Sequence, residues 1–239
     1  AAGVDFFTIP LEEGPVTGRS VVLVTPDAER SMFTYLGAAT HLTEEDIDEE
    51  IIRAGKITYI EGYLWDTECC QDALTKACQI AHKHGRKIAF TLSDTTCICR
   101  NREAIFDFIK EYVDILFANE EEIKALFAET DFYKSLDLIK PCVEIAAITR
   151  GQKGSVVVKG RTKTFVEAEI VEDVVDTTGA GDLYAAGFLY GLTQERSLGT
   201  CAMIGSIAAA EIITHYGARP EVSLRGLVRN KLLSYGIKA

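Results

Sequence analysis

The chain has 239 residues, a formal net charge of −11 at pH 7, 47% hydrophobic residues and 26% charged ones. That length suits one large α/β domain with a well-buried core. The acidic balance argues against general binding to nucleic acid or to anionic membranes, both of which need a basic surface, but it leaves room for a nucleotide held by a local pocket of N–H groups.

No apolar run reaches the length of a membrane span, and the first ten residues carry no signal-peptide pattern. The seven cysteines include no CxxC pair and read as reduced thiols of a cytoplasmic protein. Zinc is the weaker alternative, because no second cysteine pair stands at ligand spacing. In chain order, residues 20–24 and 32–35 read as strands of a hairpin, joined by the turn chemistry of Thr25-Pro26-Asp27-Ala28-Glu29. Thr43 caps a helix running to about Ala54, with Asp46 in the capping-box position. A strand at 57–60, a helix at 67–84 ending on Gly85, and a strand at 88–92 follow. Asn101 opens a helix, 115–118 is a strand running into a helix at Asn119, and 145–149 is a strand. Residues 155–159 and 162–166 form a second hairpin around Gly160-Arg161. Helices at 179–192, 198–215 and 222–234 complete the pattern. There is no internal repeat, low-complexity tract or linker.

Strands alternating with helices imply a mainly parallel sheet covered on both faces, with ligands beyond the C-terminal strand ends. The segment with the most chemistry there is Asp176-Thr-Thr-Gly-Ala-Gly-Asp182. It leaves the apolar Val174-Val175 and opens a helix. Small residues at Gly179, Ala180 and Gly181 let backbone N–H groups approach a ligand, and the helix N-terminus adds partial positive charge. Asp182 sits oddly behind such an anion site unless it faces an acceptor hydroxyl, whose proton it would take. A plain glycine-rich turn with a first-turn acid is the bland alternative. The P-loop string GxxxxGK[ST] is absent, and a dinucleotide fingerprint fails because Tyr184 stands where a small residue is required.

The string from Asp176 to Asp182, continuing Leu-Tyr-Ala-Ala-Gly-Phe, resembles the C-terminal signature of the ribokinase-like (PfkB) carbohydrate and nucleoside kinases. The resemblance implies the ribokinase-like α/β fold with a small β lid. It makes Asp182 the catalytic base and Gly179, Ala180 and Gly181 the anion hole for the transferring phosphoryl group. Asn119-Glu120-Glu121-Glu122 matches the family's Asn-x-x-Glu element, which implies Mg²⁺ held by Asn119 and Glu122 through water. An Asn-capped helix with a first-turn acidic cluster is the structural alternative. Thr149-Arg150-Gly151-Gln152-Lys153-Gly154 resembles the family's Thr-x-Gly-x-x-Gly element, so Thr149, Gly151 and Gly154 belong beside the nucleotide, with Arg150 near phosphate.

The adenine pocket is implied around Ile207 to Gly217, with Ile207, His215 and Gly217 as candidate contacts and His215 read first as a satisfied structural histidine. Asp176, Thr178 and Gly217 match the positions at which some members hold K⁺, although Glu221 departs from the small polar residue of that pattern. Residues 16–38, with Thr17-Gly18 and Gly37-Ala38, resemble the hairpin that covers the acceptor, and Ala39 stands where Asn is common. Ser93-Asp94 with Arg100 and Arg102 resembles the adenosine kinase-like and sugar kinase members. The family's opening strand and sugar-binding Gly-Gly element have no match after Ala1, and Ala2–Phe6 reads as a helix tail leading to a strand. A truncated fold with an open sheet edge is therefore expected. ATP, Mg²⁺ and a sugar or nucleoside acceptor follow as ligands, adenosine first. A non-catalytic nucleotide- or sugar-binding relative is the competing reading. Members occur as monomers or lid-paired dimers.

Overall fold

The computed structural model describes residues 3–11 and 13–238. Ala2 lies outside them, and residues 3–11 contain neither helix nor strand, so the expected helix tail is not there. The first regular structure is an antiparallel hairpin of β1 (Thr17–Val24) and β2 (Arg30–Gly37). Both strands run longer than their apolar cores suggest. The turn is closed by Thr25, whose N–H donates to the Glu29 carbonyl (2.9 Å) and whose hydroxyl donates to Asp27 (2.5 Å).

The remaining strands make one six-stranded sheet in simple sequence order: β3 (Ile57–Glu61), β4 (Lys87–Thr91), β5 (Ile115–Asn119), β6 (Ile145–Thr149), β7 (Ser155–Lys159) and β8 (Thr162–Val166). β3 to β6 are parallel, and β7 and β8 add as an antiparallel hairpin. Helix α1 (Glu49–Ala54) precedes the sheet, and α2 (Glu68–Lys83), α3 (Thr95–Tyr112), α4 (Glu120–Phe127) and α5 (Phe132–Ile139) connect the parallel strands. Right-handed crossovers between strands laid down in order put these helices on one face. There Ile88, Phe90, Leu116, Ala118, Ala146 and Ile148 meet Leu74, Ile98, Ile105, Ile123 and Leu136. The alternate residues, Ala89, Ile115, Phe117, Ile145 and Ala147, face the other side. They are covered by α6 (Ala180–Thr193) and α7 (Leu198–Ile212) through Tyr184, Phe188 and Cys201. Helix α8 (Leu224–Ser234) packs outside α7. Each large apolar side chain so buried contributes about 1.5–3 kcal/mol.

The crossing of α6 and α7 depends on two glycines. A Cβ on Gly187 would lie 2.8 Å from the Ile204 carbonyl oxygen, and one on Gly205 would lie 2.6 Å from that of Tyr184. Backbone meets backbone at that crossing, and the start of α6 is held at a fixed height above the sheet.

Three local expectations change. The helix from Thr43 to Ala54 is two pieces, a 3-10 turn Glu44–Asp46 and then α1, because Asp48 makes a second N-cap by accepting from the Glu50 N–H (2.8 Å). Helix α3 starts six residues before Asn101, where Asp94 accepts from the N–H groups of Thr96 (2.5 Å) and Cys97 (3.1 Å); Asn101 itself marks a kink at φ −120°, ψ 23°. Helix α7 ends at Ile212, before His215. All seven cysteines are free thiols.

Candidate active site

The parallel strands end on one edge of the sheet, and the chemistry-bearing residues collect there. Segment 176–182 crosses that edge and enters α6 at Gly179, whose φ of +82° puts it in the left-handed region that only glycine adopts freely. No side chain among the described residues caps this helix. The Ala180 N–H makes a long bond to the Thr177 carbonyl (3.3 Å), and the first helical bond runs from the Leu183 N–H to Gly179 (2.9 Å). The N–H groups of Gly181 and Asp182 are therefore the free donors of the first turn. Of the Gly179, Ala180 and Gly181 donors expected from the sequence, those of Gly179 and Gly181 have no partner among the described residues, and the Asp182 N–H joins them. Nothing lies within 4 Å of where a Cβ of Gly181 would be, so a ligand can reach them.

Asp176 braces this loop. It is 3% exposed, and its carboxylate accepts from the Thr178 N–H (2.9 Å) and hydroxyl (2.6 Å) and from the Gly217 N–H (3.0 Å). Burial would raise its pKa, but these bonds outweigh burial and hold it below the ordinary value. Through these bonds Asp176 joins the loop to the segment that follows α7. Gly217 is the other half of that brace.

Asp182 is the opposite case. Among the described residues no group donates a hydrogen bond to its carboxylate, and partial desolvation raises its pKa against the pull of Arg30. Arg30 was not evident as a site residue in the sequence. It opens β2, and its guanidinium donates to the Thr177 hydroxyl (2.6 Å), 147 positions away. Thr177 in turn donates to the Ala28 carbonyl (3.4 Å), so the hairpin turn rests on the glycine-rich loop. Ala28 is buried with φ +62°, an uncommon conformation for a residue with a Cβ.

Asn119 and Glu122 form a reciprocal cap at the end of β5. The Asn119 side chain donates to Glu122 Oε1 (2.7 Å), the Asn119 N–H donates to Oε2 (2.9 Å), and the Glu122 N–H donates to Asn119 Oδ1 (2.8 Å). Glu122 is 8% exposed, and burial, with Asp94 adding to it, pushes its carboxyl up to about 7 despite the Asn119 N–H. This oxygen-only pair suits a hydrated Mg²⁺, whose charge would relieve the buried carboxylate while its waters use the remaining lone pairs. Glu61, at the end of β3, is likewise raised by desolvation and by Asp182. Tyr59 and Tyr63 flank it, and both hydroxyls are raised by burial and by the surrounding carboxylates. The sequence reading missed Glu61, Tyr59 and Tyr63. Only their position at a parallel strand end marks them.

Thr149 lies directly across from Asn119 in the sheet. Gly151 begins the short turn after it, closed by the Arg150 N–H donating to the Gly154 carbonyl (2.8 Å). Arg150, for which a place near phosphate is the expectation, has two partners in the fold. Its Nε donates to Glu120 (2.9 Å) and its guanidinium stacks over Phe132 at 4.1 Å from the ring centroid. Beyond the glycine-rich loop, a groove of about 520 Å³ runs between residues 169–173, α7 and α8, lined by Ile170, Ile207, Ala210, Glu211, Val222 and Leu227 among others. His215 is a satisfied histidine beside it, 3.3 Å from Glu211. No helix among the described residues is long and apolar enough to cross a membrane.

Comparison with known proteins agrees with this geometry. The sequence profile described as pfkB family carbohydrate kinase matches residues 1–224. The structure is similar to that of adenosine kinase from Sinorhizobium meliloti, with a TM-score of 0.94, 47% identity, and 96% of this chain and 70% of that one covered. It is also similar to Anopheles gambiae adenosine kinase in complex with P1,P4-di(adenosine-5) tetraphosphate, with a TM-score of 0.75, 27% identity, and 83% and 63% covered. In sequence it is 27% identical to a 5-dehydro-2-deoxygluconokinase of Listeria monocytogenes over 214 residues, which are 86% of this chain and 66% of that protein. The chain thus spans about two thirds of the length of the curated relatives it matches. A profile match over nearly the whole chain, together with the ribokinase-like sheet and the glycine-rich helix entry at its edge, shows that the chain belongs to the pfkB family of carbohydrate kinases.

Proposed function

We propose that this protein transfers the γ-phosphoryl group of ATP to a hydroxyl of a small nucleoside or sugar, with adenosine as the preferred acceptor. The observation that carries the reading is Asp182: an unbonded carboxylate, raised by desolvation, at the uncapped N-terminus of α6 and beside Arg30. The acceptor hydroxyl would lie between this carboxylate and the γ-phosphorus. Its oxygen bonds to phosphorus while its proton passes to Asp182. The bond from phosphorus to the bridging oxygen breaks, and its electron pair leaves with ADP. The Gly181 and Asp182 N–H groups and the remaining guanidinium N–H groups of Arg30 are placed to stabilise the charge on the phosphoryl oxygens. Mg²⁺ arriving with ATP would neutralise charge on its phosphates, and Asn119 and Glu122 are the residues that would hold the waters of that ion. Residues 16–38 would serve as the lid over the acceptor, their turn seated on Thr177.

The adenosine preference is supported by the likeness to the Sinorhizobium and Anopheles enzymes and by two half-exposed tyrosines, Tyr59 (37%) and Tyr63 (42%), that offer aromatic faces at the cleft edge. A sugar acceptor is the second reading, favoured by Glu61, a carboxylate suited to hydroxyl donors, and by the likeness to the Listeria kinase. The test is ADP release with Mg·ATP over adenosine, ribose, fructose and other sugars, alongside calorimetry with Mg·ATP. Turnover with adenosine well above the sugars is expected. Turnover with one sugar alone would replace the substrate, ATP binding without turnover would favour a non-catalytic relative, and absent ATP binding would remove the kinase reading.

A further inference from the structure

The 3-10 turn Gly62–Asp66 carries the chain away from the end of β3, directly after Glu61. Four of its five residues are anchored. The Gly62 N–H donates to the Ser93 hydroxyl (3.0 Å), the Gly62 carbonyl accepts from the Cys97 thiol (3.3 Å), and a Cβ on Gly62 would lie 2.7 Å from the Leu92 carbonyl oxygen. Leu64 packs on the sheet core. Trp65 is buried with its ring centroid 4.5 Å from that of Phe108, and its carbonyl accepts from the Gln71 side chain (2.7 Å). Asp66 accepts from Asn101 (2.7 Å) and pairs with Arg100 (2.5 Å). The fifth residue, Tyr63, is 42% exposed. A turn held at every other position is a rigid mount for one projecting side chain, and rigid mounting lets a single hydroxyl be aimed. Among the described residues the Tyr63 hydroxyl has no hydrogen-bond partner, whereas the buried Tyr184 donates to Ser155 (2.8 Å). Burial first, and then the carboxylates of Asp94, Glu122, Asp182 and Glu61, hold the proton on the Tyr63 phenol. Ionised carboxylates only accept hydrogen bonds, so Tyr63 adds an O–H donor to a side of the cleft made of acceptors.

We infer that Tyr63 binds the phosphoryl acceptor, its O–H donating to the oxygen of a hydroxyl that the acceptor keeps, distinct from the one that is phosphorylated. The inference rests on the proposed kinase reading. A hydroxyl that receives from Tyr63 can pass its own hydrogen to a neighbouring carboxylate, so both of its polar functions are used. An acceptor lacking that hydroxyl leaves the phenol without its partner, which adds to the discrimination. The reacting hydroxyl belongs to Asp182, and the hydroxyl held by Tyr63 fixes which one that is.

The test measures kcat and KM by ADP release for wild type and Tyr63→Phe, with adenosine and with its 2′-deoxy and 3′-deoxy analogues, alongside calorimetry with Mg·ATP. The substitution removes one oxygen from a half-exposed side chain and leaves the anchors of the turn in place. KM for adenosine is expected to rise about three- to tenfold in the variant, the scale of one neutral hydrogen bond, with kcat changed little and Mg·ATP affinity kept. In the wild type one of the two deoxy analogues should show a rise of similar size. With that analogue variant and wild type should behave alike, because the bond is already gone. An unchanged KM for adenosine would overturn the role of Tyr63 and leave the kinase reading standing. An equal rise with all three acceptors, or weakened Mg·ATP binding in its place, would mean that the hydroxyl shapes the cleft without holding an acceptor hydroxyl, and would also overturn it. If the wild type turns over a sugar alone, the same comparison with that sugar and its monodeoxy analogues carries the same outcomes. Absence of wild-type turnover with every acceptor would remove the kinase reading and this inference together.

Discussion

Asp182 and Glu122 are both carboxylic acids whose protons are held more tightly than usual because protein has displaced water. Their surroundings otherwise differ in every respect. Glu122 has both oxygens bonded to Asn119 and is closed off from solvent. Asp182 has no donor on either oxygen among the described residues and opens onto the cleft. A group that must receive a proton needs free lone pairs and access, whereas one that must hold an ion in place needs fixed geometry. Under the proposed function the same desolvation would serve two ends, and the hydrogen bonds would decide which.

The comparison breaks most sharply at Asp182. Asp182→Asn keeps the size and removes the basic oxygen, so kcat should fall by about 10²–10⁴ while Mg·ATP affinity by calorimetry stays near wild type. Retained turnover would take the base role from Asp182. Arg30→Gln comes next. It removes the positive charge facing Asp182 and the tie to Thr177, with an expected loss of about 10²-fold in kcat and a smaller change in KM. Without the opposing cation the Asp182 carboxyl rises further, so the acidic limb of the rate profile should move to higher pH. An unmoved limb would separate Arg30 from Asp182.

The smallest expected effect concerns Glu122 and is read in stability. Its pKa in the folded chain, about 7, exceeds the ordinary 4.5, so the folded state binds the proton more tightly than the unfolded one. Its contribution is then fully favourable below about 4.5 and is lost as pH rises through 7, an effect on the order of 1–3 kcal/mol. Thermal unfolding without Mg²⁺ should show wild type losing stability from pH 5 to 8 relative to Glu122→Gln, with Mg²⁺ restoring part of it at pH 8. Parallel curves for the two proteins would show that Glu122 is not the titrating group. In turnover assays the same variant should need more Mg²⁺.

How much of this was legible in the sequence differs by range. The strands could be read because each parallel one is a short apolar run, as in Ile115-Leu116-Phe117-Ala118, and the loop at 176–182 because glycine, alanine and aspartate there have few other uses. Arg30 was missed because its partner Thr177 is 147 positions away and no local pattern marks a reach of that kind. The partners of Arg150 were hidden for the same reason, because Glu120 and Phe132 both lie outside its segment. The early start of α3 was hidden because Asn101, a plausible cap, sits at a kink while Asp94 does the capping.

Strand order has a further consequence for how the molecule is made. From β4 to β8 each strand pairs with the one synthesised just before it. No pairing waits for a distant segment, so the loop-closure entropy of building the sheet stays low and the order of emergence from a ribosome suits the order of assembly. Asp182 follows all six strands in the chain, and its helix covers a sheet face already made from residues 57–166. The Asp182 carboxylate therefore joins a finished platform, and a nascent chain that stops short of α6 has a sheet but lacks the proposed base.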